Sequence, residues 1–189
     1  NAHIRDAVAE IRFLAWLDAE VAAQRLHTED ELAERLLSFR QQADLFREVS
    51  FDSISAAGGN AAMCHYNHLN ATAPARLPMH SVYLIDSGGQ YLDGTTDITR
   101  TVAIGDPGPE IRRMFTLVLK GHIALGRARF PAGTTGSQLD SLARQFLWQE
   151  GYDYDHGTGH WVGAFLCVHE GPLRIAKPPN TTALQPGMV

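Results

Sequence analysis

The chain has 189 residues, 44% of them apolar and 20% charged, a balance that excludes disorder and suits one well-buried globular domain with room for an internal duplication. A formal net charge of −5 gives no electrostatic footprint for nucleic acid or an anionic membrane, and no apolar run approaches the roughly 20 residues that span a bilayer. Two cysteines, Cys64 and Cys167, are too few for a disulfide framework and suit a reducing cytoplasm.

From His3 to about Gln24 the residues Ile4, Val8, Ile11, Leu14, Ala15, Leu17 and Val21 follow a helical period. A second helix is expected to start at Thr28, where Thr28-Glu-Asp-Glu31 spells a capping box, and to run through Leu32, Leu36, Leu37 and Ala43 to about Phe46. Ser50–Ser55 and Ala61–Tyr66 read as strands separated by Gly58-Gly59-Asn60, followed by a polar loop to Pro78. Ser81–Asp86 and Thr96–Ile104 are the clearest strands, joined across a reversal that contains Asp93-Gly94. Pro109 opens a helix through Ile111, Phe115, Val118, Leu119 and Ile123. Ser137 is read as the cap of another through Leu139, Leu142, Ala143, Phe146 and Leu147, which Gly151 ends. Asp153 to His169 is rich in glycine and histidine and reads as loop and strand. Two helices followed by strands, twice over, predict an α/β (α+β) protein of two similar halves, about 1–105 and 106–189, around a shared cleft. Both ends read as cut. The chain opens at Asn1 almost within a helix, and Leu184-Gln-Pro-Gly-Met-Val189 is a turn entering an apolar strand, so a longer parent is expected.

Asp86 and Asp97 lie eleven residues apart on strands that must pair antiparallel. A turn centred on Tyr91 and Leu92 would set them opposite each other, or a step apart across a bulge. Like charges facing on a sheet repel, and unpaired buried carboxylates are costly. A divalent cation removes both objections, because carboxylate oxygens are hard ligands for Mn²⁺, Mg²⁺ or Zn²⁺. Two aspartates alone would suit a turn, as Asp93 does; their setting inside apolar strands favours ligation. In His156-Gly-Thr-Gly-His160-Trp-Val-Gly163 the glycines argue against a helix, so this is not the helical zinc motif HExxH, which also needs a glutamate absent here. Extended backbone would turn His156 and His160 the same way, and Val168-His169-Glu170-Gly171-Pro172 follows. His65, beside Tyr66 on an apolar strand, would by itself read as a hydrogen-bonded core histidine. His3, His27, His68, His80 and His122 receive no role.

Asp86-Ser-Gly88, Asp97-Ile-Thr-Arg-Thr101, His156-Gly-Thr-Gly-His160 and Val168-His-Glu-Gly-Pro172 together closely resemble the pita-bread metallopeptidases, and among them the Xaa-Pro aminopeptidase (aminopeptidase P) family. The likeness covers essentially the whole chain from His3. Tyr83–Gly88, Asp93–Thr101, Leu119-Lys-Gly-His-Ile-Ala124 and the nine-residue step from His160 to His169 resemble its long, cytosolic-type branch. The resemblance implies a pita-bread fold, incomplete at the C-terminus here, and two divalent ions, Mn²⁺ in first place with Zn²⁺ or Co²⁺ as alternatives. Asp86 would hold one ion, Asp97 would bridge both and His160 would hold the other, with two glutamates expected beyond Val189. It further implies that His65, His156 and His169 are active-site histidines that do not bind metal, and that Glu170 is structural or lines the rim. The implied activity is hydrolysis of an N-terminal Xaa-Pro bond by a bridging hydroxide, on peptides with proline at the second position, in the cytoplasm. A homodimer of the parent is left open, and this piece alone is expected to be inactive. Three alternatives share parts of the pattern. A prolidase would cut only dipeptides, a methionine aminopeptidase fits the His156-to-His169 run poorly, and a peptidase-like binding module would have lost the metal site.

Overall fold

The computed structural model describes all 189 residues, which form two compact units: Asn1–Gly108 with Ala164–Val168, and Pro109–Gly163 with His169–Val189. In the first, helices α1 (Ala2–Ala22) and α2 (Glu29–Arg40) precede strands β1 (Phe46–Val49), β2 (Ile54–Ala57), β3 (Ser81–Ser87), β4 (Gly89–Tyr91), β5 (Gly94–Thr95) and β6 (Ile98–Ile104). The strands make two antiparallel sheets, ordered β2-β3-β6 and β1-β4-β5. Along β3 every second residue is buried; Tyr83 and Ile85 are wholly inaccessible and join Phe13, Leu17, Leu32, Leu36 and Ile104 in the core. That alternation puts Asp86, with Val82 and Leu84, on the opposite face of the strand.

Several expectations change here. The α1 stripe that looked core-facing is partly solvent-facing: Ile4 is 75% exposed and Ile11 65%. The buried face is Ala2, Asp6, Ala9, Glu10, Phe13 and Leu17, because Arg40 of α2 reaches Asp6 through Nε at 2.7 Å and Nη2 at 3.1 Å and makes an acidic face buriable. The α2 capping box forms as expected, with Glu31 accepting from the Thr28 N–H at 2.9 Å. The helix then ends at Arg40, not near Phe46. Leu45 takes φ 67, through which no helix continues, and Phe46 opens β1 opposite Tyr91. Residues 50–53 link β1 to β2 instead of forming one strand. Residues 61–66 are not a strand either. A 3₁₀ turn (Gly58–Ala62) runs into a tight turn whose Tyr66 N–H bonds the Met63 carbonyl at 3.2 Å.

The second unit holds α3 (Pro109–Gly126), α4 (Gly136–Trp148), β7 (Gly159–Trp161) and β8 (Glu170–Ile175), the two strands pairing antiparallel. Thr135, not Ser137, caps α4, in a second capping box completed by Gln138. Gly151 closes that end at φ 79, its N–H on the Trp148 carbonyl at 3.0 Å. The helices approach so closely that a Cβ at Gly121 would stand 2.0 Å from the Ala143 carbonyl oxygen.

Candidate metal and catalytic site

In the β3–β6 hairpin Asp86 stands opposite Thr99 and Ser87 opposite Ile98. The register differs from the expected one: Tyr91 pairs with Gly94, so the turn centres on Leu92 and Asp93. Tyr91 is kept in a strand because its ring is buried and its hydroxyl donates to Asp6 Oδ1 at 2.7 Å. Asp97 precedes β6 and lies outside this ladder, two residues before Thr99, so it neither stands opposite Asp86 nor sits inside a strand as expected. Asp86 accepts from the Thr99 hydroxyl at 2.7 Å.

The residue before Asp97 is held from every side. Thr96 donates through its hydroxyl to Asp6 Oδ2 at 2.8 Å and accepts there from the Gly89 N–H at 2.8 Å. Its carbonyl accepts from the Ser50 hydroxyl at 2.8 Å, and its N–H bonds the Gly89 carbonyl at 2.9 Å. Gly88, within the aspartate motif, must lack a side chain, since a Cβ there would meet the Thr96 carbonyl oxygen at 1.9 Å. The Asp97 N–H points to His3 Nε2 at 3.5 Å. His3 had no assigned role, Asp6 belongs to no motif, and Thr96 stood in the Asp93–Thr101 motif without a role of its own; the buried Asp6 carboxylate with its four donors marks them.

His65 is exposed, on a turn and not in the core, with φ 56. With the Met63-to-Tyr66 hydrogen bond, positive φ at the third position alone is the type II pattern, which favours glycine.

In the second unit His156 is exposed; its ring stacks on Tyr154 with centroids 4.6 Å apart, and Nδ1 donates to the Gly157 carbonyl at 2.8 Å. Arg144, 1% exposed, locks this loop by donating to Asp140, Asp153 and the carbonyls of Tyr154 and His156. The guanidinium, with Lys177, holds the Asp153 carboxyl well below the usual carboxylate range, the Lys177 hydrogen bond being the larger cause. His160 on β7 and His169 just before β8 come together, ring centroids 4.1 Å apart. His160 Nδ1 lies 3.1 Å from the Trp161 carbonyl oxygen. A carbonyl can only accept, so in the neutral ring the proton sits on Nδ1 and Nε2 carries the lone pair, the form that ligates a cation. Glu170 accepts from the Gly163 N–H at 2.7 Å, a structural bond. An apolar cavity of about 450 Å³, lined by Phe130, Leu173, Ile175, Met188 and Val189, adjoins His160.

Two hard carboxylates, Asp86 on β3 and Asp97 just before β6, and the imidazole of His160 suit divalent cations by donor chemistry. No group of three or more His, Cys, Asp or Glu side chains converges closely enough to hold one.

The model of metallopeptidase family M24 matches residues 1–189. The chain is 50% identical over 192 residues to a probable Xaa-Pro aminopeptidase P of Laccaria bicolor, covering 100% of this chain and 29% of that protein. It is 50% identical over 190 residues to aminopeptidase P2 of Arabidopsis thaliana, covering 100% and 27%. Its structure resembles X-prolyl aminopeptidase from Caenorhabditis elegans, described as a cytosolic enzyme with a di-nuclear active site, at TM-score 0.93 and 46% identity, over 98% of this chain and 30% of that one. A prolidase from Pyrococcus furiosus matches at TM-score 0.77 and 29% identity, over 98% and 53%. The chain thus spans less than a third of the length of the aminopeptidases it matches, and its α/β fold is the pita-bread fold of these neighbours.

Proposed function

The chain belongs to metallopeptidase family M24, and from that premise we propose that the protein containing it is an Xaa-Pro aminopeptidase, releasing the first residue of peptides with proline in second place. Asp86, Asp97 and His160 would hold two divalent ions there, with Mn²⁺ the metal in first place, and two further carboxylates would complete the set. Bound there, two such ions supply Lewis acidity toward the scissile carbonyl and lower the pKa of a water toward neutrality.

The chain's own residues do the rest. Thr99 orients Asp86 through its hydroxyl, and the bonds around Thr96 fix where the Asp97 backbone lies. His65, His156 and His169 orient the peptide and manage protons, one of them delivering a proton to the departing proline nitrogen. The Nδ1–H of His156 is committed to the Gly157 carbonyl, so its Nε2 is the atom that would accept from substrate.

What supports this reading most is Asp86 on the face of β3 turned away from the hydrophobic core, with Asp97 leading directly into β6, the strand paired with it. Likeness to the C. elegans aminopeptidase exceeds likeness to prolidases, which favours longer peptides over dipeptides as substrates, and the same likeness supports a cytosolic location. The test is cleavage of an Xaa-Pro-Xaa tripeptide by the intact longer protein before and after exhaustive chelation. Activity should vanish with the metal and return with Mn²⁺. Full activity without metal would overturn the proposal, and cleavage confined to dipeptides would make the protein a prolidase.

A further inference from the structure

Glu29 opens α2 and is wholly buried, yet nothing in the reaction above uses it. Its carboxylate accepts four hydrogen bonds, all from neutral donors. Oε1 takes the Ala57 N–H and the Asn60 amide, both at 2.8 Å; Oε2 takes the Tyr66 hydroxyl at 2.8 Å and the Ala75 N–H at 3.0 Å. Its own N–H donates to the Ala75 carbonyl at 2.9 Å, and its carbonyl accepts from Ser55 Oγ at 2.6 Å. A buried carboxylate is normally retained with a cationic partner; this one is held by segments flanking a single loop. Burial pushes the carboxyl up, but the bonds from Asn60, Ala57, Tyr66 and Ala75 outweigh it and hold the group below its ordinary range, so it is an anion. Burial and the Glu29 bond push the Tyr66 hydroxyl up to about 12, so Tyr66 remains a donor.

The loop so held runs from Ala57 to Ala75, and the residue at its tightest point is His65, next to Tyr66. His65 occupies a left-handed position that a side chain rarely adopts unless its surroundings over-determine it. The Asn60 amide also donates to the Tyr66 hydroxyl at 3.0 Å, so both flanks of the turn converge on one carboxylate.

We propose that Glu29 is a positioning residue for His65: through Tyr66 and Asn60 its buried carboxylate holds the turn that presents the imidazole to substrate. The inference rests on the catalytic reading of His65 given above. Glu29 touches no reacting atom, and its effect on the reaction passes through one side chain.

The experiment is a double-mutant cycle in the intact protein, with Tyr66→Phe as the mild probe and Glu29→Gln as the stronger one, each made alone and with His65→Ala. Tripeptide kinetics are read beside bound-metal content and backbone amide exchange of residues 58–66. Tyr66→Phe should lower kcat about tenfold, with KM and metal content little changed, and speed exchange in that segment. In the His65→Ala background the same change should lower the rate less than about twofold, since a residue acting through His65 has nothing left to position. Equal losses in both backgrounds would overturn the proposal, as they would mark a role in the fold or at the metals; so would an unchanged rate in Tyr66→Phe. A His65→Ala enzyme as fast as the parent would overturn the catalytic reading of His65 and this inference with it, and that single variant tells the two failures apart. Tyr66→Phe removes one oxygen from a half-buried site, so the cycle stands even if Glu29→Gln does not fold.

Discussion

Glu10 is 3% exposed, makes no hydrogen bond through either carboxylate oxygen, and lies 3.7 Å from Arg40, which is already committed to Asp6. Burial pushes its carboxyl up to about 7; Arg40 opposes the rise, and Asp6 adds to it. A folded-state value above the ordinary 4.5 means the folded chain holds that proton more tightly than the unfolded one. The associated stability is complete below about pH 4.5 and is lost as pH rises to about 7, amounting to about 3 kcal/mol at ~1.4 kcal/mol per unit. Glu10→Gln should leave stability near pH 4.5 almost unchanged and raise it progressively toward pH 8 in urea unfolding of the intact protein. A difference that does not vary with pH would contradict the argument. Neither Glu10 nor Asp6 was legible as buried, because acidic residues on a helix ordinarily face water; only Arg40, 34 residues away, reverses that. His65 shows the same limit, since its apolar neighbours in sequence suggested a core strand while Glu29 folds the segment into an exposed turn.

Local signals placed most elements correctly: the Thr28 box, Pro109 at the start of α3 and the β3 strand stand where their residues indicated, while β6 starts at Ile98, two residues later than its residues indicated, and leaves Asp97 outside. What local signals missed was termination and register. Nothing near Ala43 ends a helix by propensity, and the hairpin centre moved because Tyr91 reaches Asp6 from a strand. The glycines divide likewise by context. In α3, Gly121→Ala would drive a methyl to 2.0 Å from the Ala143 carbonyl oxygen, while Gly126 has nothing within 4 Å. Gly121→Ala should therefore destabilise by about 2 kcal/mol or more, by overpacking against backbone that cannot yield. Gly126→Ala, at the end of the same helix, should be neutral or stabilising by up to about 1 kcal/mol. Chemical denaturation of the two variants decides it, and equal effects would show that the α3–α4 approach is looser than described.

At the scale of the whole molecule, the proposed ligand set determines what this chain does in isolation. Asp86, Asp97 and His160 are three donors with only two carboxylates among them, so two cations close together would face too little negative charge. The chain alone should bind Mn²⁺ weakly in calorimetry, well below the intact protein, and release no product from a proline tripeptide; two tightly held ions would show that it carries a full ligand set. No helix is long and apolar enough to cross a membrane. The sequence by itself determined the family, the aspartate pair on its hairpin and the histidine-glycine run, because each is a short pattern whose chemistry lies in residue type and spacing. Tertiary structure alone decided that α1 buries an acidic face, that Asp86 stands opposite Thr99 and not Asp97, and that Glu29 gathers the His65 loop. Each of those outcomes depends on a hydrogen bond or ion pair between residues tens of positions apart, and whether a carboxylate is worth burying is settled only by the donors that the fold brings to it.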